Sequence, residues 1–183
     1  MESHEPTDPR SDVQLVTAIN AGDTAAFEVL YFRHRDWVVN LARRFTGSDD
    51  LALDVMQETF LYLLRKFPGF TLTANLKTFL YPAVKNLALT AGQKAQRYQS
   101  TEAEQEALAA APATDPPPDE LSVVLAGLSE EHREVLLLRF VDGLALQEIA
   151  AAMSIPLGTV KSRLHNALEI LRYDPRMKEF FLP

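Results

Sequence analysis

Apolar residues recur at helical spacing in two blocks of the chain, separated by a stretch with no such rhythm. In the first block, Ser11-Asp12-Val13-Gln14 has the form of a capping box, with Ser at the cap and Gln three residues on. A short helix should follow, with Leu15, Val16 and Ile19 facing inward and Gly22 ending it. Asp23 suits the cap of a longer helix reaching about Phe45, with Phe27, Leu30, Tyr31, Val38, Leu41 and Phe45 along one side and Gly47 closing it. On this helix Trp37 and His34 read as packing and surface residues, not ligands. Ser48 can cap a third helix, from Asp49 to about Lys66, in which Met56, Phe60, Leu63 and Phe67 fall at core spacing. Asp54, Gln57, Glu58, Leu61 and Arg65 share the opposite side, which on pattern alone is a solvated face with weak surface pairing. A Pro-Gly turn makes residues 67–75 a loop. A fourth helical pattern runs from Leu76 to Arg97 and contains Pro82, which removes one backbone donor and should kink the helix.

The second block reads as helix, Gly turn, short helix, tight turn and helix. Glu131 to Phe140 is apolar at Val135, Leu136, Leu137 and Leu138, and Asp142-Gly143 stops it. Leu146 to Met153 places Leu146, Ile149, Ala150 and Met153 on one face. Ser154-Ile155-Pro156 breaks that helix, because the residue before Pro avoids helical angles and Pro suits a helix start. From Leu157 to Arg172, Val160, Leu164, Leu168 and Leu171 form one apolar stripe, while the other face carries Thr159, Lys161, Ser162, Arg163, His165 and Asn166. A short helix, a tight turn and a second helix with a polar, basic outer side suit a helix-turn-helix, whose second helix enters a DNA major groove. The pattern alone equally allows an ordinary helical hairpin with a solvated face.

Between the blocks, residues 98–118 are rich in Ala, Glu and Pro and cannot bury enough apolar surface to fold, so they read as a flexible linker. The net charge of −7 looks wrong for a DNA binder, but its distribution matters more: −3 over residues 1–12, +3 over 13–97, −6 over 98–120 and −1 over 121–183. Neither helical block is strongly basic, so the chain alone should bind DNA weakly. With no Cys there is neither a disulfide framework nor a thiolate metal site. The four His are isolated, and neither a Gly-rich phosphate loop nor a Gly-x-Ser-x-Gly elbow is present. No catalytic residue, metal or cofactor is expected. The opening MESHEPTDPR is unlike a signal peptide, and no apolar run approaches a membrane span, so a cytoplasmic protein with no membrane insertion is expected.

The string REVLLLRF-x-DGL-x-x-x-EIA-x-x-M-x-IP-x-GTVKSRLHNAL closely resembles the C-terminal DNA-binding domain of bacterial extracytoplasmic-function (ECF) sigma factors of the sigma-70 family. The resemblance extends more weakly over most of the chain. It implies that Thr159, Lys161, Ser162, Arg163, His165 and Asn166 face a −35 promoter element. D-x-x-Q-E-x-F-L resembles the sigma segment that docks on the clamp helices of the polymerase β′ subunit, which implies that role for Asp54, Gln57, Glu58, Leu61 and Arg65. In the family, the loop at residues 67–75 captures a flipped base of the −10 element. Its aromatic and short polar residues also suit an unstacked base, although Phe67 and Phe70 equally suit core anchors. Leu76 to Arg97 resembles the family's promoter-melting helix, with Lys85 and Asn86 matching. Phe79 stands where Trp is usual, Thr90 replaces an acidic residue and Gln93 a basic one. The implied −10 and melting set is Phe70, Thr73, Asn75, Lys77, Phe79, Lys85, Asn86, Lys94 and Arg97.

The expected architecture is all-α: two small helical domains joined by a flexible acidic, Pro-rich linker, the C-terminal one a helix-turn-helix. Residues 1–10 are expected to be a disordered tail, 11–97 sigma domain 2, 98–118 the linker, 119–173 sigma domain 4 and 174–183 a tail whose Phe180, Phe181 and Leu182 dock on the fold or meet a partner. The expected function is a sigma factor that binds core RNA polymerase through the β′ clamp helices and the β flap, recognises and melts promoter DNA, and initiates transcription. An anti-sigma factor is a further partner that the resemblance allows. Two rival readings stand beside it. A free-standing helix-turn-helix regulator would bind DNA tightly without polymerase, and a helical adaptor would bind only protein.

Overall fold

The structure, a computed structural model, describes residues 8–103 and 120–175, and the side chains of 8–97 and 123–175. What was expected of residues 1–7, of most of the linker and of the Phe180-Phe181-Leu182 tail lies outside the described residues. Eight helices are described: α1 (Asp12–Asn20), α2 (Thr24–Thr46), α3 (Asp49–Leu64), α4 (Leu76–Ala103), α5 (Glu120–Ala126), α6 (Glu130–Phe140), α7 (Leu146–Met153) and α8 (Leu157–Tyr173). No strand occurs among the described residues. The chain divides into two compact units, the first ending at Ala107 and the second beginning at Leu108.

In the first unit, α2, α3 and α4 pack on one another and α1 lies on α2. The caps fall where short polar residues precede the apolar repeats. The Ser11 side chain accepts from the Gln14 N–H while the Gln14 side chain accepts from the Ser11 N–H. Asp23 accepts from the Ala26 N–H, Ser48 from the Leu51 N–H, and Gly47 closes α2 in the left-handed conformation at φ +64°. Leu15 and Leu30, Val38 and Leu41, Leu63 and Leu80 are buried and form the centre of the unit. Each such side chain contributes about 1.5–3 kcal/mol by leaving water. Pro82 lies on the exposed side of α4, and the helix runs through it.

Three expectations change here. Residues 8–10 are not loose: the Arg10 guanidinium pairs with Asp8 at 2.7 Å and with Asp23 at 3.0 Å. Arg33 pairs with Asp12 at 2.7 Å and donates to the carbonyls of Arg10 and Asp8. His34 is buried rather than on the surface, with Nε2 2.8 Å from Asp12 Oδ2. Helix α4 continues to Ala103, beyond the expected boundary at Arg97.

In the second unit, α6 and α7 both pack on α8. Helix α5 is an addition to the pattern expected from the sequence. Val124 and Leu128 join Leu136, Ala167 and Leu171 in a buried cluster, and Leu125, Leu164 and Leu168 pack against it. Arg133 fastens the end of α5 by donating to the carbonyls of Leu125 at 2.8 Å, Leu128 at 3.0 Å and Ala126 at 3.2 Å. Carbonyls at a helix end have no partner in a following turn, and Arg133 supplies one; that of Leu125 also accepts from the Leu128 N–H. The buried residues of α7 are Ile149 and Ala152, with Met153 only half-buried, because the face turned to α8 is centred one residue earlier than expected. Gly143 at φ +73° and Ser154 at φ +54° turn the chain before and after α7.

Candidate functional site

Helix α8 shows what the helix-turn-helix presents. Pro156 and the αL residue Ser154 set its start, and the Pro156 carbonyl accepts from the Thr159 and Val160 N–H groups. With Val160, Ala167 and Leu171 turned inward, Lys161, Ser162, His165 and Asn166 are all exposed, at the spacing that lines one side of a helix. Thr159 is half-buried at the edge of that side, and its carbonyl accepts from the Ser162 hydroxyl. Arg163 departs from the group. Its guanidinium is held against Glu131 of α6 at 2.7 Å, and its side chain is only 20% exposed. The face therefore presents one outward cation, two hydrogen-bonding side chains and an imidazole, with a second cation held back at its edge.

The first unit carries two further surfaces. On α3, burial of Ala52, Val55, Met56, Phe60 and Leu63 forces Asp54, Gln57, Glu58 and Leu61 outward, and Arg65 is exposed at the helix end. Leu53 and Leu64 are exposed there too, at 46% and 47%, beside Leu61 at 43%. Sequence reading missed these two leucines. Both lie on the same flank of the acidic stripe, where an apolar residue taken singly means little.

The loop after α3 and the face of α4 form the third surface. Phe70 is half-buried, its ring centroid 5.5 Å from Phe67 and 4.6 Å from Phe79, and Phe79 stacks on Tyr62 at 6.0 Å. Both rings expected to meet DNA thus also belong to an aromatic packing chain that continues through Phe67 to Phe27. Leu72 is buried and anchors the loop, leaving Thr71, Thr73, Ala74 and Asn75 exposed. Asn75 begins α4, its side-chain oxygen accepting from the Lys77 N–H at 3.0 Å. Lys77 lies over the Trp37 ring at 5.6 Å and Lys85 over the Phe45 ring at 5.4 Å. Asn86, Lys94 and Arg97 are exposed along the rest of α4, with Thr90 and Gln93 between them. Asn20 was also missed. Its amide at the end of α1 bonds the backbone of residues 69 and 70. It also lines an open, mostly apolar cleft of about 680 Å³ with Phe27, Leu64, Phe67 and Pro68.

A cluster of ion pairs in the first unit shifts its carboxyls. The hydrogen bond from Arg10 holds the Asp8 carboxyl down at about 2, and the same guanidinium lowers Asp23. Burial alone would raise Asp12, but hydrogen bonds from His34 and Arg33 leave it lowered. These groups support the fold, and Asp23 also lines the cleft beside Asn20. Among the described residues no group of His, Cys, Asp or Glu could hold a metal.

A helix-turn-helix with a polar, partly basic outer face, joined in one chain to a helical unit with an aromatic-backed loop, defines a nucleic-acid-binding protein of all-helical class. Comparison with known proteins narrows the class. The family model described as Sigma-70 region 2 matches residues 30–98, and that described as Sigma-70, region 4 matches residues 124–173. The chain is 31% identical to the ECF RNA polymerase sigma factor SigE of Mycolicibacterium smegmatis, over 92% of this chain and 69% of that one. It is 30% identical to the ECF RNA polymerase sigma-E factor of Escherichia coli K12, over 88% of this chain and 92% of the other. The fold matches CnrH, solved with the cytosolic domain of CnrY, at TM-score 0.64 and 21% identity over 87% of this chain and 93% of that one. It also matches the sigma factor RpoE of Bartonella quintana, solved with the anti-sigma factor NepR, at TM-score 0.54 and 23% identity over 80% and 94% of the two chains. The chain belongs to the ECF sigma factors of the sigma-70 family. It is a polymerase-binding, promoter-specific initiation factor.

Proposed function

We propose that this initiation factor divides its work among the three surfaces. The α8 face, with Thr159, Lys161, Ser162, Arg163, His165 and Asn166, reads the −35 element in the major groove. The loop and α4, through Phe70, Thr73, Asn75, Lys77, Phe79, Lys85, Asn86, Lys94 and Arg97, take up and open the −10 region. The mixed face of α3, with Asp54, Gln57, Glu58, Leu61 and Arg65, docks on the β′ clamp helices, and the helix-turn-helix unit meets the β flap. The chain catalyses no reaction itself. Energy from capturing unpaired bases offsets part of the unpairing cost. It acts in the cytoplasm; among the described residues no helix is long and apolar enough to cross a membrane. An anti-sigma factor is a natural antagonist, because a protein that covers the α3 face would exclude polymerase.

The observation that carries this reading over a free-standing regulator is the α3 face. Three leucines stand open beside two carboxylates on a helix whose other side is fully packed, an arrangement suited to a protein partner and unsuited to DNA. A regulator acting alone would also need a basic surface of its own, whereas residues 13–97 carry only +3 and 121–183 carry −1. The test is transcription in vitro by core polymerase on a randomised promoter pool, with and without the chain. Recovery of transcripts sharing −35 and −10 sequences only when the chain is present supports the proposal. Identical transcript pools in both reactions would refute it.

A further inference from the structure

We propose that Asn20 is a positioning residue for promoter opening, acting through the loop that receives an unpaired base. Asn20 is the last residue of α1, about fifty positions from that loop. Its side-chain oxygen accepts from the Gly69 N–H at 2.7 Å, and its side-chain nitrogen donates to the Phe70 carbonyl at 2.7 Å. Only one orientation of an amide meets both demands, an acceptor toward the N–H and a donor toward the carbonyl. A carboxylate, which only accepts, or an aliphatic side chain of similar size does not.

The clamp falls where the loop needs one. Gly69 has φ +100°, a conformation that side-chain-bearing residues rarely adopt, so the turn depends on glycine, which does not hold one conformation unaided. The residues that follow, Thr71, Thr73, Ala74 and Asn75, are exposed, and the loop is held by buried Leu72, by the Phe67 and Phe70 rings and by the Asn20 amide. Fixing residues 69 and 70 sets the direction in which Thr71 and Thr73 leave the core. Two short bonds therefore place a polar loop against single-stranded DNA before it arrives, which removes an ordering cost from binding. This inference rests on the reading of the loop as a base-binding element.

The experiment uses the full chain with core polymerase and a randomised pool of DNA carrying a pre-opened bubble, sequenced after binding. The double variant Thr71→Ala with Thr73→Ala first identifies the bubble position whose base preference depends on the loop. Asn20→Ala and Asn20→Asp should each reduce the preference at that same position by about tenfold, the scale expected when one or two hydrogen bonds are lost. Preferences in the duplex −35 segment and affinity for core polymerase should stay at the wild-type level. Asn20→Asp keeps the acceptor for Gly69 and so serves if the alanine variant fails to fold. Retained preference at the loop-dependent position in the Asn20 variants overturns the inference and leaves the loop reading intact. Equal weakening at every position, together with weaker core binding, also overturns it, because Asn20 would then support only the fold. If the wild type shows no loop-dependent position, the loop reading falls and this inference falls with it.

Discussion

The Arg163 guanidinium, on the helix proposed to read the −35 element, is held 2.7 Å from the Glu131 carboxylate of α6. Glu131 is 64% exposed, and a pair with so open a partner is worth about 0–1 kcal/mol. Promoter DNA can therefore draw Arg163 off at small cost, where it can hold guanine bidentately, while outward-facing Lys161 offers a point charge. Arg163→Ala should cut transcription from the cognate promoter and relax preference at one −35 base, at about 1–3 kcal/mol of discrimination. Lys161→Ala should weaken binding evenly across sequences, and Glu131→Gln should strengthen promoter binding by about two- to fivefold. Sequencing bound DNA from a randomised −35 pool checks all three. Unchanged preference in Arg163→Ala would confine Arg163 to the ion pair.

The two sides of α3 should separate folding from polymerase binding. Asp54→Ala with Glu58→Ala removes only exposed groups, so helical circular dichroism should persist while affinity for core polymerase falls. Met56→Ala empties a buried position on the other side and should destabilise the unit by about 2–5 kcal/mol. Wild-type core affinity in the acidic double variant would remove the docking role from this face.

Helix α7 begins at Ala145, which has no side-chain cap, although Glu148 accepts from its backbone N–H at 2.7 Å. Ala145→Ser would complete the reciprocal pair and should stabilise the fold by about 1 kcal/mol. A thermal melt of the full chain measures this. A lower melting temperature would mean that the backbone at 145 does not place a hydroxyl on the N–H two or three residues on.

Acid should expose the anchoring of the N-terminal segment. Asp8 is held at about 2 by Arg10, below the usual carboxylate value, and Asp23 is lowered by the same side chain. A lowered carboxyl contributes stability that is present above its unfolded pKa and is lost as pH falls through its folded pKa. For Asp8 that window runs from about 4 down to about 2. Arg10→Ala should lower the melting temperature most near neutral pH, and the gap from wild type should close as pH approaches 2. A gap that does not change with pH would mean that Arg10 acts by packing alone.

Local rules made much of this fold legible. Ser11, Asp23 and Ser48 cap their helices, and Gly47 ends α2, because each effect operates within one turn of chain. The outward set on α3 and most of that on α8 followed from helical spacing. What escaped depends on distant partners. Asp8 and Arg10 look like an acidic tail until Asp23 and Arg33 are brought beside them. Helix α5 has seven residues, too few to hold on propensity, and it exists because Arg133 and the α8 cluster secure it. Asn20 and Arg163 carry ordinary side chains, and only the fold shows that one reaches the loop and the other turns toward α6.

The most direct test is a binding titration of the full chain on promoter and scrambled DNA, with and without core polymerase, across a range of salt. With core polymerase the chain should select the promoter, and Lys161→Ala should flatten the salt dependence by about one unit of slope. Without it, binding should be weak and unselective, because the whole chain carries −7. Tight, sequence-specific binding by the chain alone would contradict this and point to a free-standing regulator.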